Sequence, residues 1–534
     1  MNRLAVLISG ALLLTSTAFA GGILTKTNQS AQFVRMLSRN ASTDIDAVYY
    51  NPAGLTQMAN GFYFAFNNQS IFQTSTINSG YPFLHNSEYK GETNAPVFPS
   101  AFAVYKTDKW AFSAGFGVNA GGGTTKFDRG LPSFEKQVAG LVPALSGLSA
   151  LGYPVTDYNV DISFEGSSVF CGIQGGATYK VNKILSVYLG ARYVPAINTY
   201  NGSITNIQLG TAGNLKNGTT YLTSAAAAAS VKAQVTAGAA ASLQPLVAGG
   251  AGSMTLAQVQ GAGLITSAQR AQLEGGLLQL GLTSAQVSAM SVASAQTTYS
   301  SSSAYLAGTA ATLTAKAPAL ADKHVDVKQT GGGVTPIIGV NINLEKLNIG
   351  LKYEHMTIIG LTNETVVDGT GLFPDGQKTN SDIPAILAGG ASYQVNDKLK
   401  ISGSGTIFFD KNVNWGKNVY LQERTIDKNF VELSLGAEYK LTDKFALSAG
   451  YMNTNTGVSK QFQSDFSFSN DSYTTGLGFQ WNINDRLVLD AGMMLTTYKT
   501  DTKTFTEPAP IGTYNETYTK DTFTMAFGIG YKIF

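Results

Sequence analysis

The sequence predicts an all-β protein: a 14-stranded antiparallel transmembrane β-barrel, plugged by an N-terminal hatch and carrying a large insert of helical and low-complexity sequence. Three observations support this fold class: a low content of charge, a repeated short polar turn, and runs of alternating polarity. Charged residues make up 13% of the chain, aromatic residues 10%, and 58 residues are glycine. That charge content is about half of the ~25% found in soluble domains. The net charge of +2 gives no basic surface for nucleic acid.

The first residues have the organisation of a secretory signal peptide. Arg3 supplies a positive charge, Leu4–Leu14 is apolar, and Ala18–Ala20 fits a small-x-small cleavage pattern. We therefore predict a signal peptide over residues 1–20. Beyond it the sequence has no run of about 18 apolar residues, so the membrane is expected to be crossed by strands.

A short polar connector recurs six times between alternating runs. Asn, Asp and Lys at its centre suit a tight turn, and the flanking aromatic residues suit a membrane interface. The connectors are residues 105–110, 179–184, 343–347, 393–399, 439–445 and 481–487. Six turns join twelve strands, and one more strand at each end, Gly61–Phe72 and Thr519–Phe534, makes fourteen. An even number places both ends on the same side of the membrane.

The runs themselves alternate with a period of two residues. In one of them, Trp110, Phe112 and Phe116 share one face, whereas Ser113 and Gly115 share the other. Apolar residues facing lipid and small or polar residues facing the lumen are typical of membrane barrels. Fourteen strands enclose a lumen wider than side chains alone can fill, so we expect a plug.

Residues 21–60 precede the first strand and do not alternate, which makes them the predicted hatch. The segment ends in Asn51, Pro52, Ala53 and Gly54, the expected hatch and gating residues. Asn51 would anchor the turn by hydrogen bonds, Pro52 would stiffen it, and Gly54 would allow close backbone approach. The alternative interpretation is a loose periplasmic tail.

Several motifs resemble those of the long-chain fatty-acid outer-membrane transporter family (FadL/TodX type). Residues 21–24 and 44–55 resemble the start of the family, and the Asn-Pro-Ala stretch matches its hatch motif. Gly121–Gly123, followed by Lys126–Pro132, resembles the region after the family's third strand. The resemblance covers the hatch, the barrel and the strand count, and fails over roughly Asn201–Lys323.

The resemblance implies a monomeric barrel in the cell outer membrane, without catalysis and without a cofactor. Its partners would be a long-chain fatty acid or another hydrophobic ligand, and outer-membrane lipid. The family catches such ligands in outer loops, passes them to an apolar pocket, and releases them sideways at a kinked third strand. We expect the same passive uptake here, with a general porin and a surface adhesin or structural barrel as alternatives.

Four residues are predicted to serve transport directly. The alternation places Arg192 and Lys352 in the lumen, where either could bind a ligand carboxylate. An ordinary lumen ion pair, such as Lys352 with Glu354, is the alternative. Gly115 and Gly117 in the third strand could permit the kink for lateral opening.

The region 201–323, between the fifth and sixth strands of the barrel (61–534), is rich in Ala, Ser, Gly and Gln. It contains three capping-box patterns, which predict helix starts. These are Thr255 with Gln258, Thr266 with Gln269, and Thr283 with Gln286. The insert is either a small self-packed helical cap or low-complexity coil, or it forms an outer hydrophobic groove for ligand capture.

The chemically versatile residues are few and scattered. Cys171 is the single cysteine, so an intrachain disulfide is excluded. His85, His324 and His355 have neither metal-ligand spacing nor a nucleophile partner. The sequence thus predicts no catalytic residue, no metal site and no enzyme.

Overall fold

The computed structural model describes residues 23–415 and 423–534 and shows one antiparallel sheet that closes on itself. Closure occurs where β1 pairs with both β2 and β18. Fourteen strands form the wall, which confirms the predicted count. The wall strands are β1 Gly61–Ser79, β2 Glu88–Lys106, β3 Trp110–Phe127, β4 Asp157–Lys180, β5 Leu185–Thr211, β7 Lys323–Leu344, β8 Leu347–Glu354, β11 Ile386–Gln394, β12 Leu399–Phe408, β13 Phe430–Lys440, β14 Phe445–Asn455, β15 Ser472–Asn482, β16 Leu487–Tyr498 and β18 Thr513–Lys532.

Four short strands lengthen individual hairpins beyond the wall. They are β6 Asn214–Asn217, β9 Gly360–Asp368, β10 Lys378–Asn380 and β17 Asp501–Thr506. Each of the six predicted connectors lies between two consecutive wall strands. The predicted signal peptide, residues 1–20, lies outside the described residues.

The wall alternates as predicted, with apolar side chains outward and small or polar ones inward. Outward residues such as Leu189, Leu351 and Leu435 are exposed, at 70%, 50% and 67%. Trp110 and Trp481 lie outward beside the short turns, as expected for an interfacial aromatic girdle. This apolar exterior requires a lipid environment. In the part of the chain that the structure describes, no helix is long and apolar enough to span a membrane.

The segment before β1 is buried inside the barrel. It forms helix α1 (Ala31–Met36), helix α2 (Ala47–Tyr50) and a 3-10 helix (Pro52–Gln57). Ser30 caps α1 by accepting a hydrogen bond from the backbone N–H of Phe33. Helix α1 packs against the inner faces of β13 to β16 and β18. We call residues 23–60 the hatch.

Inward-facing glycines let the hatch backbone approach the wall. An added Cβ at Gly450 would lie 2.0 Å from the carbonyl oxygen of Met36, and one at Gly476 would lie 2.5 Å from that of Val34. A Cβ at Gly478 would lie 2.5 Å from the Cβ of Arg35. Any larger residue at these positions would displace α1, so part of the high glycine content is a requirement of the plug.

Contacts divide the chain into two units: a barrel unit (residues up to 137, 162–204 and 323–534) and an insert unit (138–161 and 205–322). Helix α3 (Pro132–Ala139) begins in the first. The insert's helices are α4 Leu141–Ala144, α5 Gly218–Ala248, α6 Leu256–Gly261, α7 Ser267–Gln279, α8 Ser284–Ala289 and α9 Val292–Lys316. Further 3-10 turns are Ser146–Leu151, Ala251–Ser253, Ala317–Leu320 and, after β12, Asp410–Asn412.

The insert unit is mostly helical, as predicted. All three predicted capping boxes are formed, at the starts of α6, α7 and α8. The unit has its own hydrophobic core, in which Leu243, Leu256 and Leu277 are buried. This agrees with the first of the two interpretations, a self-packed helical unit.

Candidate ligand conduit

Buried ion pairs fix the hatch to the lumen wall. The Nη1 atom of Arg35 lies 2.6 Å from Oε2 of Glu438, and its Nε atom lies 2.8 Å from Oδ1 of Asp490. The Arg35 side chain is fully buried. Gln32 also donates a hydrogen bond to Asp490, at 2.7 Å. Burying an arginine is costly unless it is paired, so this helix is held in one position.

The predicted hatch motif makes the turn that joins α2 to the 3-10 helix. The Asn51 amide donates hydrogen bonds to the carbonyl oxygen of Ser42 (3.0 Å) and to Oδ1 of Asn341 on β7 (2.7 Å). Pro52 occupies the first turn of the 3-10 helix, and its carbonyl oxygen accepts a bond from Thr178 at 2.7 Å.

The next two motif residues are packed without free space. Ala53 is fully buried and packs with Tyr188 and Ile337 of the wall. A Cβ on Gly54 would lie 2.5 Å from Nδ2 of Asn51. Glycine is therefore required at position 54 because the Asn51 side chain lies so close to the backbone. A positive φ is not the reason, since Gly54 does not have one. The gating role of the motif stays a prediction.

Arg192 and Lys352 lie in the lumen and share one carboxylate. Oε2 of Glu354 lies 2.6 Å from Nη1 of Arg192, and Oε1 lies 2.6 Å from Nζ of Lys352. Lys352 also donates to the carbonyl oxygen of Tyr49 on α2, at 2.5 Å, and both cations lie over the Tyr49 ring. The alternative ion pair is thus present, and it helps hold the hatch. Two cations on one carboxylate leave a local excess of positive charge. Binding of a ligand carboxylate by Arg192 or Lys352 stays a prediction.

Gly115 and Gly117 lie beside this cluster, across a cavity with room for about one water molecule. Both are regularly paired, Gly115 with Phe102 and Gln174, and Gly117 with Ser100 and Gly172. Neither glycine interrupts the pairing of the wall, and their role in lateral opening stays a prediction. A Cβ on Gly117 would lie 2.4 Å from Oε1 of Gln29, so Gly117 makes room for the hatch.

The irregular part of the wall begins immediately after Gly117. Pairing between β2 and β3 stops at Ser100 with Gly117 and resumes at Thr93 with Thr125. Strand β3 has further register shifts against β4 between Val118 and Gly123. The Gly121–Gly123 run thus lies within β3, not after it as the sequence resemblance implied, and two of its glycines have a φ near +80°. We call this interruption the β2–β3 gap.

Two prolines explain the gap on the β2 side. Pro96 and Pro99 lie within β2, and proline has no backbone N–H to donate to a neighbouring strand. Neither proline was identified as a site residue from the sequence, although a proline inside a strand-length run is a recognised sign of an edge or a bulge. The opposite strand contributes the flexible Gly121–Gly123 run.

The hatch closes the gap from the lumen side. The Lys26 amide donates to the carbonyl oxygen of Asn119 at 2.8 Å, and the Gly121 amide donates to that of Leu24 at 3.1 Å. An apolar cluster also surrounds the gap. It joins lumen-facing Ile71 and Phe98 to Val118 and to the partly buried Val169 and Cys171 of β4. The wall is thus sealed here by hatch backbone and apolar side chains.

Around Ile23 and Leu24, the first described residues of the hatch, apolar side chains replace the polar ones in the lumen. Two neighbouring groups, both packed against Trp415, form what we call the upper apolar cluster. Its members are Ile23, Leu24, Ala120, Phe170, Val194, Ala196, Ile359, Leu361, Ile383, Ile386, Phe408, Ile426, Phe430 and Phe462. Ala120 lies in the irregular part of β3, so the cluster reaches the β2–β3 gap.

These features define the class of protein. A closed 14-stranded barrel with an apolar exterior, a plug held by buried ion pairs and an apolar upper lumen is an outer-membrane β-barrel protein with a closed lumen rather than an open aqueous pore.

Three solved structures are similar to this chain. A FadL homologue from Pseudomonas aeruginosa has a TM-score of 0.56 at 13% identity, covering 96% of this chain and 100% of that one. The toluene transporter TodX from Pseudomonas putida has a TM-score of 0.48 at 13% identity, with 92% and 95% covered. The toluene transporter TbuX from Ralstonia pickettii has a TM-score of 0.43 at 15% identity, with 91% and 93% covered.

The first of these likenesses shows a shared fold and confirms the predicted resemblance at that level. The family model for the autotransporter β-domain matches residues 412–533, which contain the regular hairpins from β13 to β18. No curated protein matches the sequence.

Proposed function

We propose that this protein takes up hydrophobic small molecules passively across the outer membrane. The observation that supports it is the continuity between an apolar upper lumen and an interrupted, apolar-lined stretch of wall. A ligand held by the upper apolar cluster would leave through the β2–β3 gap into the hydrocarbon core. Such a path avoids water throughout, and it needs no energy source because burial drives each step.

Within this class, long-chain fatty acids are the proposed substrates. Burial contributes roughly 0.8 kcal/mol for each methylene group, so a long chain gains most from an apolar lumen. The excess positive charge at Arg192, Lys352 and Glu354 would attract the carboxylate. The ligand carboxylate would have to compete with Glu354, which already contacts both cations.

Mass spectrometry of an organic extract tests the proposal directly. The purified barrel should yield fatty acids or other apolar metabolites, and a form lacking Gly21–Gln57 should retain far less. The same deletion should raise leakage of small hydrophilic solutes. An empty lumen in both forms, together with high ion conductance, would indicate a porin instead.

A crosslink tests the exit route. In a Cys171→Ser background, Phe98→Cys with Val118→Cys would join two residues that pack in the gap. Oxidation should abolish uptake and reduction should restore it. The matched control is Leu435→Cys with Tyr451→Cys, which are register partners in the regular wall. Uptake at the normal rate through the oxidised gap would mean that ligands leave elsewhere.

A further inference from the structure

A second plug closes the lumen from the opposite direction to the hatch. Residues 456–471 join β14 to β15, yet the middle of this connection is buried like a core. Phe462 is fully buried in the upper apolar cluster with Ile386 and Phe408. The ring of Phe468 packs 5.2 Å from that of Tyr518 on β18. We call residues 456–471 the outer plug.

The outer plug has a defined internal structure. The side-chain amide of Gln463 donates to the carbonyl oxygen of Ser469, and the backbone amide of Ser469 donates back to Gln463 Oε1, both at 2.9 Å. Asn470 donates to the carbonyl oxygen of Tyr518 at 2.9 Å. A connection that satisfies its own polar groups can stay folded inside an apolar lumen.

Helix α3 holds the outer plug through one apolar and one polar contact. The Phe134 ring packs edge-on against Phe466, with centroids 4.9 Å apart. Oδ2 of Asp465 accepts a 2.6 Å hydrogen bond from the backbone N–H of Ser133. One turn further along, Lys136 pairs with Glu516 of β18 at 2.5 Å. We call the contacts of Ser133, Phe134 and Lys136 the latch.

Asp465 is the titratable centre of the latch. Its side chain is buried, and burial together with the nearby Glu516 carboxylate raises its pKa to about 6. The charged groups that act on it are Lys136 on α3, Glu516 on β18 and Lys503 on β17. Arg424, before β13, donates a hydrogen bond to Ser467 of the outer plug, and Glu135 of α3 accepts one from Tyr89.

We infer that the outer plug is a gate, latched to α3 under acidic conditions and released toward neutral pH. Protonation removes the cost of burying a charged carboxylate and also the repulsion between Asp465 and Glu516, so the latched form is favoured when Asp465 is neutral. A carboxyl with a pKa of about 6 when latched and near 3.8 when released changes the latching equilibrium by roughly 100-fold. Latching is strongest below about pH 4, where Asp465 is protonated in both forms. It weakens as the pH rises from there through about 6.

Uptake of a fluorescent long-chain fatty acid between pH 4.5 and 7.5 tests the gate, and this readout rests on the proposed function. Uptake by the wild type should rise roughly 10-fold or more across this range. Asp465→Asn keeps an acceptor oxygen for the Ser133 amide but never ionises, so its uptake should stay at the acidic level throughout. The control is Asp128→Asn, an exposed carboxylate paired with Lys126, which should follow the wild type. Flat uptake by the wild type, or an Asp465→Asn profile like that of the wild type, would overturn the inference.

A second measurement needs no ligand and separates failure of the gate from failure of the proposed function. In a Cys171→Ser background, buried Ser464→Cys is labelled with a maleimide, and exposed Ser149→Cys serves as the reference for thiol ionisation. Labelling of position 464 relative to 149 should increase at least 10-fold from pH 4.5 to 7.5. Phe134→Ala should make position 464 reactive at both values. A constant ratio would show that the outer plug does not move, whatever the fate of fatty acids.

Discussion

The two ends of the lumen are closed by opposite chemistry. The hatch is held by buried ion pairs, such as Arg35 with Glu438, and by glycines that admit its backbone. The outer plug is held mainly by aromatic contacts, such as Phe134 with Phe466. Breaking a buried ion pair leaves an uncompensated charge, whereas parting aromatic rings can be offset by an apolar ligand. The hatch contacts are therefore suited to permanence, and the outer-plug contacts to exchange with the apolar ligands of the proposed function.

The largest expected effect comes from breaking the ion pairs of Arg35 with Glu438 and Asp490, which we call the hatch clamp. Arg35→Met would leave Glu438 and Asp490 buried without their cation, and should lower the free energy of unfolding by about 3–5 kcal/mol. Urea unfolding and proteolysis of the hatch would measure this. Arg270→Met is the control, because its pair with Glu274 is partly exposed and contributes only about 0.2–0.5 kcal/mol. Equal losses for the two variants would contradict the clamp.

Overpacking the hatch interface should have a somewhat smaller effect. Gly450→Ala places a methyl group 2.0 Å from the Met36 carbonyl oxygen, which should cost about 1–3 kcal/mol and loosen α1. Thermal unfolding and ion conductance would both report it. Gly360→Ala, which has open space around the added carbon, should leave stability and conductance as they are.

Truncating a side chain in the upper apolar cluster should weaken ligand binding but should not open the lumen to ions. Phe408 packs edge-on with Phe430, with centroids 5.3 Å apart. Phe408→Ala should therefore weaken fatty-acid binding by roughly 10-fold, equivalent to about 1.4 kcal/mol, while conductance stays low. Phe72→Ala removes an outward, lipid-facing ring and should bind normally. Increased conductance in Phe408→Ala would mean that this cluster also seals the pore.

The smallest effect is expected in the insert. Thr255→Ala removes one capping box, which should cost about 1 kcal/mol or less and be confined to the insert unit. Proteolysis within residues 251–262 should become faster while uptake is unchanged. A change in fatty-acid uptake would instead favour the insert as a ligand-capturing groove.

The barrel could be predicted because its determinants are local. Alternation and turn chemistry repeat every few residues, so the wall strands and the short turns followed from sequence alone. The capping boxes of the insert were equally local. The β2–β3 gap was also encoded locally, by Pro96, Pro99 and the Gly121–Gly123 run, whereas Gly115 and Gly117, the residues predicted for lateral opening, are regularly paired.

The clamp and the outer plug could not be predicted in this way. Arg35 is 403 residues from Glu438 and 455 from Asp490 in sequence, so no spacing rule connects them. The outer plug has the polar composition of an ordinary surface loop, apart from Phe462, Phe466 and Phe468. Its burial follows from the width of the lumen, which is a property of the closed sheet.

The sequence distance between Arg35 and its acidic partners has a consequence for biogenesis. The hatch precedes every wall strand in the sequence and is made before them, but the carboxylates that neutralise Arg35 lie on β13 and β16, close to the last strand. Until those strands are inserted, Arg35 has no buried carboxylate to pair with, so it must stay hydrated. Docking of the hatch and closure of the seam between β1 and β18 are therefore coupled late events. A barrel stalled during assembly would have both an undocked hatch and an unpaired seam.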